Sequence, residues 1–134
     1  MRIFLDANVI FSAAKSDGAM RQLLHELRRR DHELWADAYV VEEARRNLTL
    51  KSPASVPALE AVMEHVRLAP IGAAPKRPIP LPLPDKDRPV LEAAIRIGCD
   101  TLVTGDRTHF GRLYGTRIEG VEILAPAALA EKLR

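Results

Sequence analysis

Four carboxylates stand at positions where an alternating α/β chain brings side chains to one edge of a sheet. Asp6 directly follows the apolar run 3–5, and Asp106 follows the apolar run 101–104 after one glycine. Glu43 and Asp87 fall on predicted helices that adjoin the same edge. Converging carboxylates repel one another unless a cation lies between them, and Mg²⁺ and Mn²⁺ take oxygen ligands. The pattern therefore predicts a divalent-metal site, of the kind that promotes displacement at phosphorus.

Each acid also has a purely structural interpretation. An aspartate after a strand or before a helix is often only a helix cap, which applies to Asp6 and Asp87, and Asp106 fits simple turn chemistry. Most glutamates on helices are solvated, which applies to Glu43. Glu42 stays open as the alternative to Glu43, and Asp85 as the alternative to Asp87. The four acids taken together, in order through an alternating chain, favour the functional interpretation.

The elements that must position these acids alternate along the chain. Strands are predicted over 2–5, 33–36, 67–69, 101–104 and 119–124, and helices over 20–27, 39–48, 57–66, 90–97, 109–114 and 127–133. Asp37 is a candidate cap for the second of these helices, Gly98 closes the fourth, and six prolines within 70–84 predict an extended connector. Alternating strands and helices predict one α/β domain over 1–134, with a mainly parallel sheet covered by helices on both faces. In such sheets the functional crevice lies beyond the carboxyl ends of the strands.

Composition narrows the class of protein. The 134 residues are 47% hydrophobic and 28% charged, which excludes a disordered tail, a collagen-like repeat and a coiled coil. The single cysteine, Cys99, excludes an intramolecular disulfide and a Cys-only zinc cluster. No apolar run is long enough to span a membrane, and Asp6 interrupts the apolar start that a signal peptide would need. We therefore expect a cytoplasmic, soluble protein, whose net charge of +2 permits nucleic acid as a partner without requiring it.

Two motifs carry a family resemblance. The chain resembles a PIN domain in two motifs, the run 5–10 (Leu-Asp-Ala-Asn-Val-Ile) and the run 102–106 (Leu-Val-Thr-Gly-Asp). Between these motifs, Glu43 lies ahead of Leu48 and Asp87 lies ahead of an Ala-rich helix, as the resemblance requires. That domain is the nuclease of VapC-type toxins in bacterial and archaeal toxin–antitoxin pairs. The resemblance covers essentially the whole chain, and its Asp-x-Asn and Thr-x-Asp motifs are the most specific parts.

The resemblance implies a three-layer α/β/α sandwich and metal-dependent endonuclease cleavage of RNA. Asp6, Glu43, Asp87 and Asp106 would bind Mg²⁺ or Mn²⁺, and a metal-activated water would attack the scissile phosphodiester. The resemblance also implies an RNA substrate, a homodimer and a cognate antitoxin that blocks the active site with a peptide segment.

Supporting residues are also implied. Asn8 and Thr104 match polar positions that support the acidic site in the family, and Ser12, at i+4 from Asn8 on the same helix, is a weaker candidate. Candidate RNA contacts are the cations that flank the acids, Arg45, Arg88, Arg107, His109 and Arg112, together with Arg46, Lys86, Lys76 and Arg77. With 4% aromatic residues, recognition of the RNA backbone is favoured over base stacking.

Two other functions compete with this interpretation. A haloacid-dehalogenase-like phosphatase would need an aspartate where this chain has Asn8. A PIN-like scaffold that binds RNA or a protein without cleaving it keeps the fold, but gives no reason for four mutually repelling carboxylates.

Overall fold

A computed structural model of the chain describes residues 1–72 and 81–134. Its strands are β1 (Arg2–Leu5), β2 (Glu33–Asp37), β3 (Arg67–Ala69), β4 (Thr101–Val103), β5 (Arg117–Ile118) and β6 (Val121–Leu124). Its α-helices are α1 (Ala7–Lys15), α2 (Ala19–Arg29), α3 (Ala38–Lys51), α4 (Val56–Met63), α5 (Arg88–Ile97), α6 (Arg107–Phe110) and α7 (Pro126–Lys132). Short 3₁₀ turns lie at Pro53–Ser55 and Gly111–Leu113.

One six-stranded sheet organises the domain, in the order β3-β2-β1-β4-β6-β5. Every pairing is parallel except that of β5 with β6. The sheet lies between helical layers, which confirms the predicted three-layer α/β/α architecture. Strand order reverses between β1 and β4, so the crevice for a ligand is expected beyond their carboxyl ends.

The core explains why β1 is a continuous apolar run. Ile3, Phe4 and Leu5 are all 0% exposed, because β1 lies inside a parallel sheet that helices cover on both faces. Helix α1, which begins directly after β1, packs against α2, α3 and α4. Asp6 is thus fixed at the junction of the central strand and a helix with packed neighbours.

Most predicted elements form, with changes at their ends. The predicted cap at Asp37 is confirmed, since its Oδ1 accepts a hydrogen bond from the Val40 amide at 3.2 Å. Gly98 ends α5 with φ +76°, a left-handed conformation that glycine adopts without strain. Helix α4 ends at Met63, so His65 lies beyond a helix that was predicted to contain it.

The last predicted strand was wrong in detail. The strand predicted over 119–124 begins only at Val121, because Glu119 and Gly120 form the turn of a hairpin between β5 and β6. These two residues adopt φ of +48° and +85°, as a tight turn between antiparallel strands requires. The connector predicted over 70–84 falls partly outside the described residues, which exclude 73–80. At its described end, Leu81 and Leu83 are buried in the core. Nowhere in 1–72 or 81–134 is a helix both long and apolar enough to span a membrane.

Candidate active site

Asp6 is buried at the carboxyl end of β1 and held by three hydrogen bonds. Its Oδ1 accepts from the Ala7 amide at 2.8 Å, so the side chain does begin α1 as a helix cap. Its Oδ2 accepts from the Thr104 hydroxyl at 2.7 Å and from the Asn8 amide group at 3.2 Å. The capping and functional interpretations are therefore compatible, because Oδ1 accepts only the bond from Ala7 and keeps a second lone pair for another ligand.

The two sequence motifs are bonded to each other across the sheet. Asn8 donates from Nδ2 to Oγ1 of Thr104 at 3.3 Å, and its Oδ1 accepts from the Gly105 amide at 2.7 Å. The same Thr104 oxygen accepts from the Asp106 amide at 3.1 Å. A Cβ on residue 105 would meet Oδ1 of Asn8 at 3.3 Å, tighter than an ordinary contact, so this approach favours glycine.

The two acids on helices reach the same place from α3 and from the start of α5. Glu43 lines the cleft, whereas the side chain of Glu42 is 67% exposed and pairs with Arg45. Asp87 is 9% exposed, whereas the side chain of Asp85 is fully solvated. Asp87 makes no side-chain capping bond to α5, so its carboxylate is free for another use. Of the acids left open by the sequence, Glu43 and Asp87 line the cleft, and Glu42 and Asp85 are not among its described lining residues.

These side chains surround one open cleft of about 310 Å³ at the predicted sheet edge. Its lining consists of Asp6, Ala7, Asn8, Glu43, Asn47, Lys86, Asp87, Gly105 and Asp106. Four carboxylates thus face one space in which Lys86 is the one cation among the described lining residues. The arrangement concentrates negative charge where strand order reverses.

His109 lies against two of the acids. Its Nδ1 is 2.8 Å from Oδ2 of Asp106 and 3.0 Å from Oδ2 of Asp87. The His109 amide also donates to Oδ1 of Asp106 at 3.2 Å, which caps α6. His109 was predicted only as a candidate RNA contact, but its ring lies against the acidic cluster.

Burial and mutual repulsion alter the acidity of the cluster. Burial raises the pKa of Asp6 from 3.8 to about 6, the hydrogen bond from Thr104 opposes the rise, and the Glu43 charge adds to it. Burial also raises the pKa of Asp87, with His109 opposing the rise and Asp106 adding to it. The ionised cluster is thus costly to the folded chain alone, and a bound cation would favour the ionised forms.

The cleft suits a divalent cation on two observations. Its carboxylates are hard oxygen donors of the type that Mg²⁺ and Mn²⁺ take. In addition, Oδ2 of Asp87 is buried without a hydrogen-bond partner within the described residues. A buried oxygen of this kind is costly unless a ligand satisfies it, so the residues present fit a metal.

The remaining predicted site residues lie outside the cleft lining. Arg45 pairs with Glu60 at 3.0 Å as well as with Glu42, and Arg88 bonds the Leu83 carbonyl at 3.3 Å. Arg107 and Arg112 are exposed near α6, and Ser12 is half-buried on α1. Lys76 and Arg77 lie outside the described residues.

Three residues near the acids escaped the sequence analysis as site residues. Asn47 follows Glu43 by one helical turn and lines the cleft. The Tyr39 hydroxyl donates to the Lys86 carbonyl at 2.6 Å, and the Tyr114 hydroxyl donates to the Thr104 carbonyl at 2.8 Å. The i, i+4 spacing from Glu43 could have indicated Asn47. The tyrosine contacts join distant parts of the chain, so no local sequence pattern could have indicated them.

Solved structures share this architecture. A chain of the VapBC2 structure from Rickettsia felis, bound to a DNA fragment from their promoter, matches with TM-score 0.68 and 16% identity, covering 93% of this chain and 98% of that one. A chain of VapBC-1 from nontypeable Haemophilus influenzae matches with TM-score 0.60 and 16% identity, covering 95% and 99%. VapC20 of Mycobacterium tuberculosis, described as a Sarcin-Ricin loop cleaving toxin, matches with TM-score 0.56 and 13% identity, covering 87% and 97%.

At these identities the similarity concerns the fold. No curated protein matches the chain. A family model described as PIN domain matches residues 2–108, which include all four acids and both motifs. The chain, with its acids at the switch point of this sheet, therefore belongs to the PIN domain family.

Proposed function

We propose that the chain is a divalent-metal-dependent endoribonuclease that hydrolyses RNA phosphodiester bonds. The observation that carries the proposal is the convergence of Asp6, Glu43, Asp87 and Asp106 on one cleft, with a buried Asp87 oxygen that lacks a partner. Mutually repelling carboxylates at a partly buried site reduce stability, so their convergence favours a cation-dependent role.

In this proposal the four carboxylates hold Mg²⁺ or Mn²⁺. Such an ion, when bound, supplies an activated water and offsets the charge that develops on the phosphate. Thr104 and Asn8 orient the Asp6 carboxylate through their hydrogen bonds. Lys86, a cation that lines the cleft, is placed to contact a phosphate of the substrate.

RNA is the proposed substrate because one structural neighbour is described as cleaving the Sarcin-Ricin loop. The exposed Arg107, which directly follows Asp106, and the exposed Arg112, in the turn after α6, provide positive charge for a nucleic-acid backbone. A scarcity of aromatic residues supports recognition through that backbone rather than through base stacking.

A toxin role with a cognate antitoxin is also proposed. It is supported by membership of the PIN domain family and by two neighbours that are VapBC structures. We further propose that the protein acts in the cytoplasm as a homodimer, in line with the resemblance that its motifs carry.

The test is cleavage of total RNA by the purified protein with Mn²⁺ or Mg²⁺, compared with Asp6→Asn and with Asp31→Asn. Asp31 is exposed, near the amino end of β2 at the opposite edge of the sheet, and its φ of +64° suits asparagine, so it matches the charge change away from the cleft. Wild type and Asp31→Asn should cleave, whereas Asp6→Asn and EDTA-treated wild type should not. RNA binding without cleavage by the metal-loaded wild type would favour the non-cleaving scaffold.

A further inference from the structure

His109 occupies the gap between two carboxylates of the cleft. Its Nδ1 lies 2.8 Å from Oδ2 of Asp106 and 3.0 Å from Oδ2 of Asp87, and the three atoms lie within 4.8 Å of one another. The ring is half-buried. The hydrogen bond from the His109 amide to Oδ1 of Asp106 fixes the first turn of α6, on which this ring stands. This nitrogen is therefore aimed into the cluster by the fold.

The ring nitrogen of His109 hydrogen-bonds only one of the two carboxylates that it faces in the described residues. Nδ1 of His109 carries either one proton or one lone pair, and its hydrogen bond is made with Asp106. Oδ2 of Asp87 stays without a hydrogen-bond partner in the described parts of the chain, although that residue is only 9% exposed. The imidazole therefore leaves a buried oxygen unsatisfied, which points to a ligand that all three groups contact.

The spacing of the three atoms suits a common ion. Ligands about 2.1 Å from an octahedral ion stand roughly 3 Å apart when they occupy adjacent corners. The two nitrogen–oxygen distances of 2.8 and 3.0 Å lie close to that value. Small rotations of the side chains would open room for the ion while keeping the three groups around it.

We propose that Nδ1 of His109 is a metal ligand together with Asp87 and Asp106, and that it makes this site prefer Mn²⁺ over Mg²⁺. This inference rests on the proposed metal-dependent function. Mg²⁺ demands an octahedral shell that is normally all oxygen, whereas imidazole nitrogen favours ions of the first transition row. A nitrogen ligand at one corner of a carboxylate site therefore raises the affinity for Mn²⁺ relative to that for Mg²⁺.

The competing explanation is that a cationic His109 neutralises the two carboxylates when no metal is bound. In that case a metal must displace the ring, and removal of the ring would strengthen the binding of both ions. The two explanations thus predict opposite effects of the same substitution.

The experiment is a calorimetric titration of wild type, His109→Gln and His25→Gln with Mn²⁺ and separately with Mg²⁺. Glutamine replaces the ring nitrogen by groups of similar reach that include an oxygen, and His25 is an exposed histidine on α2, away from the cleft lining. His109→Gln should lose Mn²⁺ affinity by about tenfold or more and lose much less Mg²⁺ affinity. His25→Gln should match wild type for both ions.

Pulsed electron paramagnetic resonance of the Mn²⁺-loaded wild type tests directly whether a nitrogen atom is bound to the metal. Nitrogen hyperfine coupling is expected in wild type and in His25→Gln, and should disappear in His109→Gln. Bound Mn²⁺ without nitrogen coupling in wild type, or tighter binding of both ions by His109→Gln, would overturn the inference alone. A wild type that binds neither ion would overturn the proposed metal-dependent function together with it.

Discussion

The hydroxyl of Thr104 donates a hydrogen bond of 2.7 Å to Oδ2 of Asp6, and so joins the carboxyl ends of β4 and β1, 98 residues apart in the chain. The same oxygen of Thr104 accepts from the Asp106 amide at 3.1 Å. One buried hydroxyl therefore sets the relative position of two acids that arrive on neighbouring strands. Because Thr104 is 0% exposed, no water can replace it without rearrangement.

Thr104→Val should weaken Mn²⁺ binding while the fold is retained. Valine keeps the shape of threonine but leaves Asp6 Oδ2 and the Asp106 amide each short of a partner, which costs about 1–3 kcal/mol of unfolding free energy. Loss of a group that orients a metal ligand commonly reduces affinity by about 10–100-fold. Calorimetric titration with Mn²⁺ and chemical denaturation measure the two effects.

Thr104→Ser is the matched control, since it restores the hydroxyl and removes only a methyl group. We expect serine to retain most of the Mn²⁺ affinity of wild type. If valine and serine lost affinity equally, the packing of the methyl group would be responsible rather than the hydrogen bond.

The position of Asp6 and Asp106 at one edge of the sheet could be predicted from the local sequence around each residue. Each ends a short apolar run, and the carboxyl ends of parallel strands share one edge of a sheet. Glu43 and Asp87 required the order of elements as well. The sequence alone did not show that they, and not their neighbours Glu42 and Asp85, line the cleft.

The rest of the site depends on tertiary contacts that leave no local pattern. His109 follows Asp106 by three residues and looked like a flanking cation, but its ring reaches Asp87 because α5 begins beside α6 in space. The hairpin at Glu119 was missed because a glutamate with φ of +48° is uncommon, and only its pairing with Gly120 makes that turn.

The metal-free protein should lose stability as pH rises through the range in which Asp6 ionises. The pKa of Asp6 in the fold is about 6 against 3.8 ordinarily, so the folded state holds this proton more tightly than the unfolded state. Its contribution is therefore fully present below about pH 4 and lost as pH rises through about 6, a change of roughly 3 kcal/mol in the free energy of unfolding. Urea denaturation in EDTA at a series of pH values measures it.

The contribution of Asp6 is isolated by subtracting the curve of Asp6→Asn, which cannot titrate at this position. The unfolding free energy of Asp6→Asn relative to wild type should rise between pH 4 and pH 6.5. Parallel curves for the two proteins would show that Asp6 keeps an ordinary pKa, against the effect of its burial.

Glu43→Gln and Glu42→Gln make a matched pair on α3. Glu43 lines the cleft and its charge raises the pKa of Asp6, whereas the side chain of Glu42 is 67% exposed and pairs with Arg45. Glu43→Gln should lower Mn²⁺ affinity by about tenfold or more and raise the melting temperature without metal, because a repelling charge is removed. Glu42→Gln should change both by little, and equal effects of the two substitutions would contradict the assignment of Glu43 to the site.

Tyr39 is the residue we expect to position Asp87. Its hydroxyl donates to the carbonyl of Lys86 at 2.6 Å, one residue before Asp87, and its ring stands one turn before Glu43 on α3. Tyr39→Phe keeps the ring and releases that carbonyl, so the loop that carries Asp87 can shift from α3. We expect Mn²⁺ affinity to fall by about tenfold, the range seen for groups that orient metal ligands, with about 1 kcal/mol of stability lost.

Ser55→Ala provides a control for the lost hydrogen bond itself. The Ser55 hydroxyl also donates to a backbone carbonyl, that of Lys15 at 3.2 Å, but it lies outside the cleft lining. A comparable loss of stability with unchanged Mn²⁺ affinity is expected for Ser55→Ala. If Tyr39→Phe behaved in the same way, Tyr39 would be a structural residue only, and Asp87 would owe its position to the packing of α5.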